Sequence, residues 1–464
     1  MYLCICLNRL FISSENWFTM IRNSLFLFLI SCFSVSSLAA QEVWSLEKCV
    51  KHAAQNNLNL RQAEIGIQQA VLDKKRAEQA RYPNLNAQID GGFNFGRTID
   101  PTTNDFRSTR IGSSRVFLGS DMTVYNGGRI NNTIKQSKID TEVAKADAAS
   151  QLNDISLNIA SAYLNVLVAQ EQAVIAQKQV AQTKTQLEQT DKRIQAGVLP
   201  QNERLEILAQ QARNQQNLVA AENNVAINLI SLKNFLELDP TYDLAVETPP
   251  DVIQYTAVDD YLTLESVYQK ALETQPSITA SELRMESANL NVEIAKADKL
   301  PSVALFGNIN SNYAHIKDFA FNEGYFNQLD NNLGQTLGAR INIPIYNRGI
   351  TDIAIEQARL GILNADVANK QAKQQLQADV QNAIASAKAA KAQLDANQIA
   401  LDAAKASFDN AQKMYDLGAI NTLEYTNART NLDTAELDVV RAKYEYVFRA
   451  KVIDFYLGKE LTLK

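Results

Sequence analysis

The sequence predicts a mainly α-helical chain in which one helix–strand–strand–long helix–helix module is used twice. Landmarks of the first half recur in the same order in the second: Pro83 matches Pro301, 218 residues later, and Gly197 matches Gly418, 221 residues later. The 464 residues include only 17 Gly and 9 Pro, so few positions would interrupt a helix. A repeat this long indicates a duplicated module and excludes a short solenoid period.

The N-terminal residues 1–40 are typical of an export signal. A short basic start at Met20, which we expect to be the true translation start, precedes an apolar stretch and then small residues up to Ala40. Two processing routes remain open, because the residues around Cys32 also resemble a lipidation sequence. Cleavage near Ala40 would leave Cys49 as the one cysteine of the mature protein, whereas the other route would leave Cys32 as a lipidated N-terminus.

The first repeat is expected over residues 41–240. Its predicted elements are a helix over 45–81, strands over about 84–96 and 110–125, a long helix over 129–195 and a return helix over 201–237. Pro83 ends the first helix, and the turn around Gly197 separates the last two. The long helix contains neither Pro nor Gly, and at 1.5 Å per residue it would extend about 100 Å.

The second repeat is expected over residues 263–464, after a linker over 241–262 that contains two prolines. Its predicted elements are an opening helix from 263, strands over about 302–313 and 333–346, a long helix over 350–416 and a last helix ending near 457. The turn between these two helices lies at Gly418, as the repeat requires. The same order of helices and strands in both halves predicts two similar folding units.

The strands alternate cleanly between apolar and polar residues. In the first strand Leu85, Ile89 and Phe93 share one face, whereas Asn86 and Asp90 share the other. Either the sheet has one buried face, or its apolar face meets lipid and its polar face lines a lumen. Four strands cannot close a barrel, and an open edge in lipid would leave backbone groups unpaired. In lipid, three chains would therefore share one twelve-stranded transmembrane barrel.

The long helices carry a narrow apolar seam at alternating steps of three and four residues. Leu152, Ile155 and Ile159 begin it in the first repeat, and Leu376 and Val380 in the second. This spacing is typical of coiled-coil packing. A helix of this length does not fit inside a globular domain, so either a fibrous stalk or a hollow α-helical tunnel continuous with the barrel is expected.

Composition argues against several other functions. The net charge is −6 without a Lys/Arg block, so no nucleic-acid partner is expected. The sequence has 2 His and neither a zinc-protease nor a phosphate-loop pattern, and a C-x-x-C pattern is missing from the mature protein, so we expect no enzyme activity and no cofactor. Cys49 and His52 share a helix face, but two ligands do not make a metal site, so no metal is expected.

The duplicated module resembles the TolC-like outer-membrane efflux protein family across nearly the whole mature protein. The matching features are Pro83 and Pro301, the turns Tyr125–Gly128 and Tyr346–Gly349, and the helix tips Arg193–Leu199 and Tyr415–Ile420. The resemblance implies a homotrimer in the outer membrane of a Gram-negative bacterium, with its barrel in outer-membrane lipid and its helical tunnel in the periplasm. It implies a passive duct for multidrug efflux or secretion, fed by an inner-membrane transporter through a periplasmic adaptor protein. The alternative interpretations are a periplasmic coiled-coil adaptor and a structural stalk.

The resemblance also implies where the functional residues lie. Glu203 and Glu424 would form acidic rings at a periplasmic gate, and Tyr415 would help to close it. The adaptor-contact tips would include Arg193, Gly197, Leu199, Gly418 and Ile420. Two positions depart from the family pattern, since Ile420 stands where the gate has a basic residue and Asn427 where it has a second acidic one. Glu203 and Glu424 could equally be first-turn helix carboxylates favoured by the helix dipole.

Overall fold

A computed structural model describes residues 43–99, 104–248, 263–317 and 322–463. The export signal predicted over residues 1–40 lies outside these ranges. The first repeat consists of β1 (Val43–Trp44), α1 (Leu46–Asn56), α2 (Leu58–Gln79), β2 (Asn86–Ile99), β3 (Phe106–Asn126), α3 (Arg129–Gln195) and α4 (Asn202–Phe235), and β4 (Ala245–Val246) follows in the linker. The second consists of α5 (Leu264–Thr274), α6 (Pro276–Ala297), β5 (Ser302–Ile316), α7 (Tyr325–Asn331), β6 (Gly334–Asn342), α8 (Ile350–Asp416) and α9 (Thr422–Tyr456).

The two long helices, α3 and α8, each contain 67 residues and have the predicted bounds. Each starts after a glycine in the left-handed conformation, Gly128 with φ 86° and Gly349 with φ 74°. The sharp turn that these glycines allow sends the polypeptide from a strand directly into a helix. By composition α3 contains a stretch that could cross a membrane, but half of that stretch is buried inside the protein, as in a core helix.

The opening helix predicted over 45–81 is wrong as a single element, because Asn57 divides it into α1 and α2. Asn57 adopts an extended conformation, and its side-chain oxygen accepts a hydrogen bond from the backbone N–H of Asn59 at 3.0 Å. Asn therefore caps a new helix here, which is a role that this side chain performs well. The second repeat breaks at the equivalent place, between α5 and α6, where Pro276 begins the new helix.

At each of these two breaks, the start of the new helix meets the end of another helix from the same repeat. The Asn57 side-chain amide donates to the carbonyl oxygen of Phe235, the last residue of α4, at 3.2 Å. The Gln275 side-chain amide donates to the carbonyl oxygen of Phe455, near the end of α9, at 3.4 Å. Helix α4 therefore continues into α2, and α9 into α6, so that each long helix is accompanied along its length by two shorter helices.

The four longer strands form one antiparallel sheet in the order β2-β3-β5-β6. Strands β2, β3 and β5 are longer than predicted, and β3 reaches 21 residues. Strand β6 ends at Asn342, before the predicted end at 346, because Pro344 has no N–H to donate to a ladder. The short helix α7 lies between β5 and β6, the two strands of the second repeat.

A buried cluster near the middle of the long helices connects the N-terminus to the linker. Strand β1 pairs in parallel with β4, so the described part of the linker predicted over 241–262 contains a short strand. The Tyr163 hydroxyl on α3 lies 3.0 Å from the carbonyl oxygen of Trp44 and 2.8 Å from that of Glu247. Cys49 is fully buried here, and burial raises the pKa of its thiol to about 12, so the thiol is unreactive.

Candidate functional site at the helix tips

The two helix tips are built alike. At the first, the N–H of Gly197 donates to the carbonyl of Ile194 at 3.0 Å and the N–H of Val198 to that of Arg193 at 2.9 Å. At the second, Gly418 and Ala419 make the equivalent bonds at 3.0 and 2.8 Å. Both glycines have positive φ, 74° and 71°, which this type of helix ending requires.

Tyr415 is buried in the last turn of α8. Its hydroxyl lies 3.2 Å from Thr422 Oγ1 in the first turn of α9, and its ring stacks on that of Tyr425 with centroids 4.8 Å apart and planes inclined by 27°. The hydroxyl and the ring therefore hold the two helices of this tip together.

Arg193 connects the first tip to the second. Its guanidinium group lies 5.5 Å from the centre of the Tyr415 ring, and Nη2 lies 3.4 Å from both the carboxylate Oδ1 and the backbone oxygen of Asp416. Arg193 precedes Asp416 by 223 residues, so the contact joins the two repeats. Ile420 occupies the position at which the family pattern has a basic residue. In this protein Arg193 of α3 places a positive charge beside Tyr415 instead.

Polar side chains of α9 make further buried contacts along the helices, with α3, with α8 and within α9 itself. The Tyr425 hydroxyl lies 2.9 Å from Gln186 Oε1 and 3.0 Å from Gln412 Oε1, and burial raises the pKa of Tyr425 to about 12, so it remains a neutral donor. Further along α9, Arg429 Nε is 2.9 Å from Asp433 Oδ1 in a pair that is mostly buried. Burial raises the pKa of Asp433, although Arg429 opposes that shift.

The two glutamates predicted at the gate occupy equivalent positions in the first turns of α4 and α9. Glu203 is half-exposed and Glu424 is exposed. The backbone N–H of Glu424 donates to Asn421 Oδ1 at 2.9 Å, and Asn421 Nδ2 donates back to Glu424 Oε1 at 3.2 Å. Glu424 is therefore part of a helix cap, and its exposed carboxylate also projects from the tip.

The remaining predicted tip residues differ in accessibility. Gly197 and Gly418 are exposed, whereas Leu199 and Ile420 are half-buried. Leu417 and Val198, which sequence reasoning did not select, are the most accessible apolar side chains of the tips, with 84% and 69% of their surface exposed.

Sequence reasoning also missed Asp416, Tyr425 and Arg429. Asp416 and Tyr425 flank the tip turn, one in the last turn of α8 and the other in the first turn of α9. When a tight turn joins two antiparallel helices, residues in the last turn of the first helix face residues in the first turn of the second. Applied to Tyr415, this geometry could have predicted its contact with Tyr425 from the sequence. Within the four described ranges, no group of three or more His, Cys, Asp or Glu is arranged to hold a metal ion.

Comparison with known proteins gives a consistent result. The sequence model of the outer membrane efflux protein family matches residues 49–236 and 267–459. The chain is 23% identical to the cation efflux system protein CusC of Escherichia coli O157:H7, over 85% of this chain and 82% of that protein. It is 21% identical to the outer membrane protein TolC of Salmonella enteritidis, over 39% of this chain and only 37% of TolC. A crystal structure of CusC superposes with a TM-score of 0.75 at 19% identity, over 91% of this chain and 96% of that one.

Proposed function

Because the chain belongs to the outer membrane efflux protein family, we propose that it forms the outer-membrane channel of a tripartite efflux or secretion system. In this role the protein is a passive duct. An inner-membrane transporter supplies the driving force and the cargo, and a periplasmic adaptor protein connects the two. The channel protein itself carries out no chemical reaction.

The exposed apolar face of the sheet is the observation that carries this proposal. Ile89, Phe95 and Leu337 lie on that face with 75%, 74% and 89% of their surface accessible. In water such a face would be a severe aggregation hazard, whereas in lipid it is the expected outer wall of a barrel. The opposite face carries polar and charged residues such as Asp90, Arg115 and Asn308, which suit a water-filled lumen.

Closure of the sheet supports a trimer. Strands β2 and β6 are the two edges of the described sheet, and each has one neighbour. An unpaired edge in lipid costs several kcal/mol for each backbone group left without a partner. Pairing β2 of one copy with β6 of the next would remove every edge, and three copies give a closed barrel of twelve strands.

The helices extend the same duct. Each protomer supplies α3, α8 and the two end-to-end pairs α4–α2 and α9–α6, so three protomers supply twelve helical columns. At the far end of these columns, Tyr415, Glu203 and Glu424 form the proposed periplasmic gate. The adaptor-contact surface proposed there comprises Arg193, Gly197, Leu199, Gly418 and Ile420, to which the exposed Val198 and Leu417 are added.

The decisive test is assembly in detergent followed by conductance. Light scattering of the protein purified from outer-membrane fractions should give three chains per particle, and the particle should form cation-selective channels in planar bilayers. A stable monomer with intact strand content would contradict the proposal. A soluble periplasmic protein without conductance would instead favour the adaptor or the stalk.

A further inference from the structure

The short helix α7 takes the place of a strand beside the last residues of β5. Strand β6 begins at Gly334, which pairs with Asn310, whereas β5 continues to Ile316. Beyond Asn310, β5 therefore has β3 on one side, and α7 lies along its other edge. The Ser311 hydroxyl donates to the carbonyl oxygen of Leu329 in α7 at 2.6 Å, which holds the helix against the strand.

Side-chain amides make the hydrogen bonds that a strand would make at this edge. The Gln328 side chain donates to the carbonyl oxygen of Ala314 and accepts from its N–H, both at 3.0 Å. The Asn322 side chain does the same with Ile316, at 2.8 and 3.1 Å. An amide side chain offers a donor and an acceptor, as a peptide unit does. The upper edge of β5 is therefore satisfied within its own chain and has no room for a strand from another copy.

Strand β2 is longer than the strand it meets in the proposed trimer. There β6 of one copy pairs with β2 of the next; β2 has 14 residues and β6 has 9, so at least five residues of β2 extend past β6. The start of β2, after α2, and the end of β6, before α8, both lie at the helical end of the sheet. The surplus of β2 therefore lies at the opposite end, where α7 precedes β6.

The gap between β5 and this part of the neighbouring β2 has the width of a helix. Where β6 is missing, two strand spacings of about 4.8 Å each separate the two strands, which gives about 10 Å. An α-helix with its side chains is about 10–12 Å across. Helix α7 can therefore fill the gap and contact both strands.

The face of α7 that points away from β5 is exposed. Successive helical residues are about 100° apart, so Phe326 and Asp330, two positions before and after Gln328, lie on the side opposite to it. Both are exposed, and Phe326 retains 81% of its accessible surface. The upper part of β2 likewise exposes Phe95 and Ile99, to 74% and 48%.

The two surfaces are on the same side of the sheet and have complementary charge. Ser311, which bonds α7, is aligned across β3 with Ile89, so α7 lies on the apolar face of the sheet. Arg97 is exposed on this face of β2, between Phe95 and Ile99 along the strand. The basic Arg97 and the acidic Asp330 can therefore approach each other when two copies meet.

We propose that α7 of one copy packs against the upper part of β2 of the next copy and closes the gap that the shorter β6 leaves in the barrel wall. The partner is a second copy of this chain, and the proposal rests on the proposed function, which supplies the seam between β6 and β2. Phe326 packs against the apolar side chains of β2, and Asp330 faces Arg97. An aromatic pair at such a contact adds to the stability that burial alone provides.

The test is disulfide cross-linking between copies of the mature protein, purified in detergent. Phe326→Cys is combined in turn with Phe95→Cys, Arg97→Cys or Ile99→Cys. Each double variant is oxidised with copper phenanthroline and run on a denaturing gel without reductant. A disulfide forms only when the two Cβ atoms come within about 4.5 Å, so a covalent dimer or trimer reports direct contact, whereas a link within one chain still runs as a monomer.

The matched control combines Phe326→Cys with Phe106→Cys. Phe106 lies directly opposite Ile99 on β3, so it has the same face and level but is one strand further from the seam. The single variant Phe326→Cys controls for the native cysteine, since Cys49 is fully buried and should not link. Light scattering before oxidation confirms how many chains each particle contains.

We expect at least one of the three β2 pairs to give covalent dimers and trimers, and the control pair to give monomers. If no β2 pair is linked in a trimeric, conducting particle, this inference is wrong and the proposed function stands. Equal linking of the Phe106→Cys control would overturn the assignment to β2. A monomer without conductance would reject the proposed function, and this inference with it.

Heat dissociation of the trimer in detergent gives an independent measurement without cysteines. Phe326→Ala should lower the dissociation temperature, because it removes the ring at the seam. Phe106→Ala removes a ring that is 66% exposed on the same face but away from the seam, so it should leave that temperature unchanged. An equal effect of the two substitutions would contradict the proposal.

Discussion

Replacing Arg193 by Ala should loosen the closed arrangement of the helix tips. Arg193 connects the end of α3 to the end of α8, because it contacts both the Tyr415 ring and Asp416. These helices belong to different repeats, so their tips can separate without breaking the backbone bonds of either turn. The substitution removes the connection and leaves both glycine turns intact.

The free energy that Arg193 contributes to the tip contact follows from the solvent exposure of the side chains involved. The Arg193 and Asp416 side chains retain 33% and 54% of their accessible surface, so their ion pair contributes at most about 1 kcal/mol. The cation–π contact with Tyr415 adds about 0.5–1 kcal/mol at such a site. A total of about 1–2 kcal/mol for each tip corresponds to a change of about 5- to 30-fold in the ratio of open to closed tips.

Single-channel recording in planar bilayers measures this ratio directly. Arg193→Ala should lengthen open dwell times relative to closed ones by at least that factor. Arg193→Lys retains the charge without the planar guanidinium group, so its ratio of open to closed times should lie between those of Arg193→Ala and wild type. Tyr415→Phe keeps the ring but loses the hydroxyl bond to Thr422, so it should open the channel more modestly.

Lys192→Ala is the matched control, since it removes one positive charge from the adjacent, exposed position. If Lys192→Ala and Arg193→Ala change gating equally, the effect comes from net charge at the mouth and the reasoning about a specific contact fails. Wild-type gating in Arg193→Ala would show that the tips are held closed by other contacts.

Further predictions concern other parts of the protein. Leu337→Arg, on the outer wall, should cost about 2–4 kcal/mol of unfolding free energy, and Thr336→Arg, on the opposite face, should cost little; denaturant unfolding in lipid measures both. Tyr163→Phe should lose about 0.5–1.5 kcal/mol of unfolding free energy, because it removes the hydrogen bond that the Tyr163 hydroxyl donates to the backbone of β1 and β4; a lower melting temperature measures the loss. Because burial raises the folded-state pKa of Asp433, the folded protein takes up a proton there before the unfolded chain does, so wild type should gain stability relative to Asp433→Asn as pH falls from 7 toward about 4, measured by thermal unfolding. Glu424→Gln should weaken block by divalent cations on the periplasmic side, as recorded in bilayers, and unchanged block would leave Glu424 a helix cap only.

The family resemblance was predicted correctly, because it depends on local features that repeat. Each glycine turn and each proline at a helix-to-strand junction is encoded within a few neighbouring residues. The bounds of α3 and α8 were predictable for the same reason, since a left-handed glycine begins each helix and another ends it.

Two of the three errors arose where a distant part of the polypeptide decides the local structure. Asn57 was read as an ordinary residue within one helix, but its side chain caps α2 and also bonds Phe235, 178 residues away. The early end of β6 was predictable, since Pro344 is visible in the sequence and cannot donate to a ladder. The pairing of β1 with β4 was not, because two-residue strands carry no periodic signal.

The sequence by itself determined the repeat, the bounds of the two long helices and the two faces of the sheet, because periodicity and helix breakers act over a few residues. Only the tertiary structure decided which side chains meet across the repeats. Arg193 reaches Asp416 and Tyr425 reaches Gln186 through packing of elements that local preferences do not orient. Polar contacts of this kind contribute about 1 kcal/mol each, too little to leave a pattern in the sequence, yet they connect the two tips.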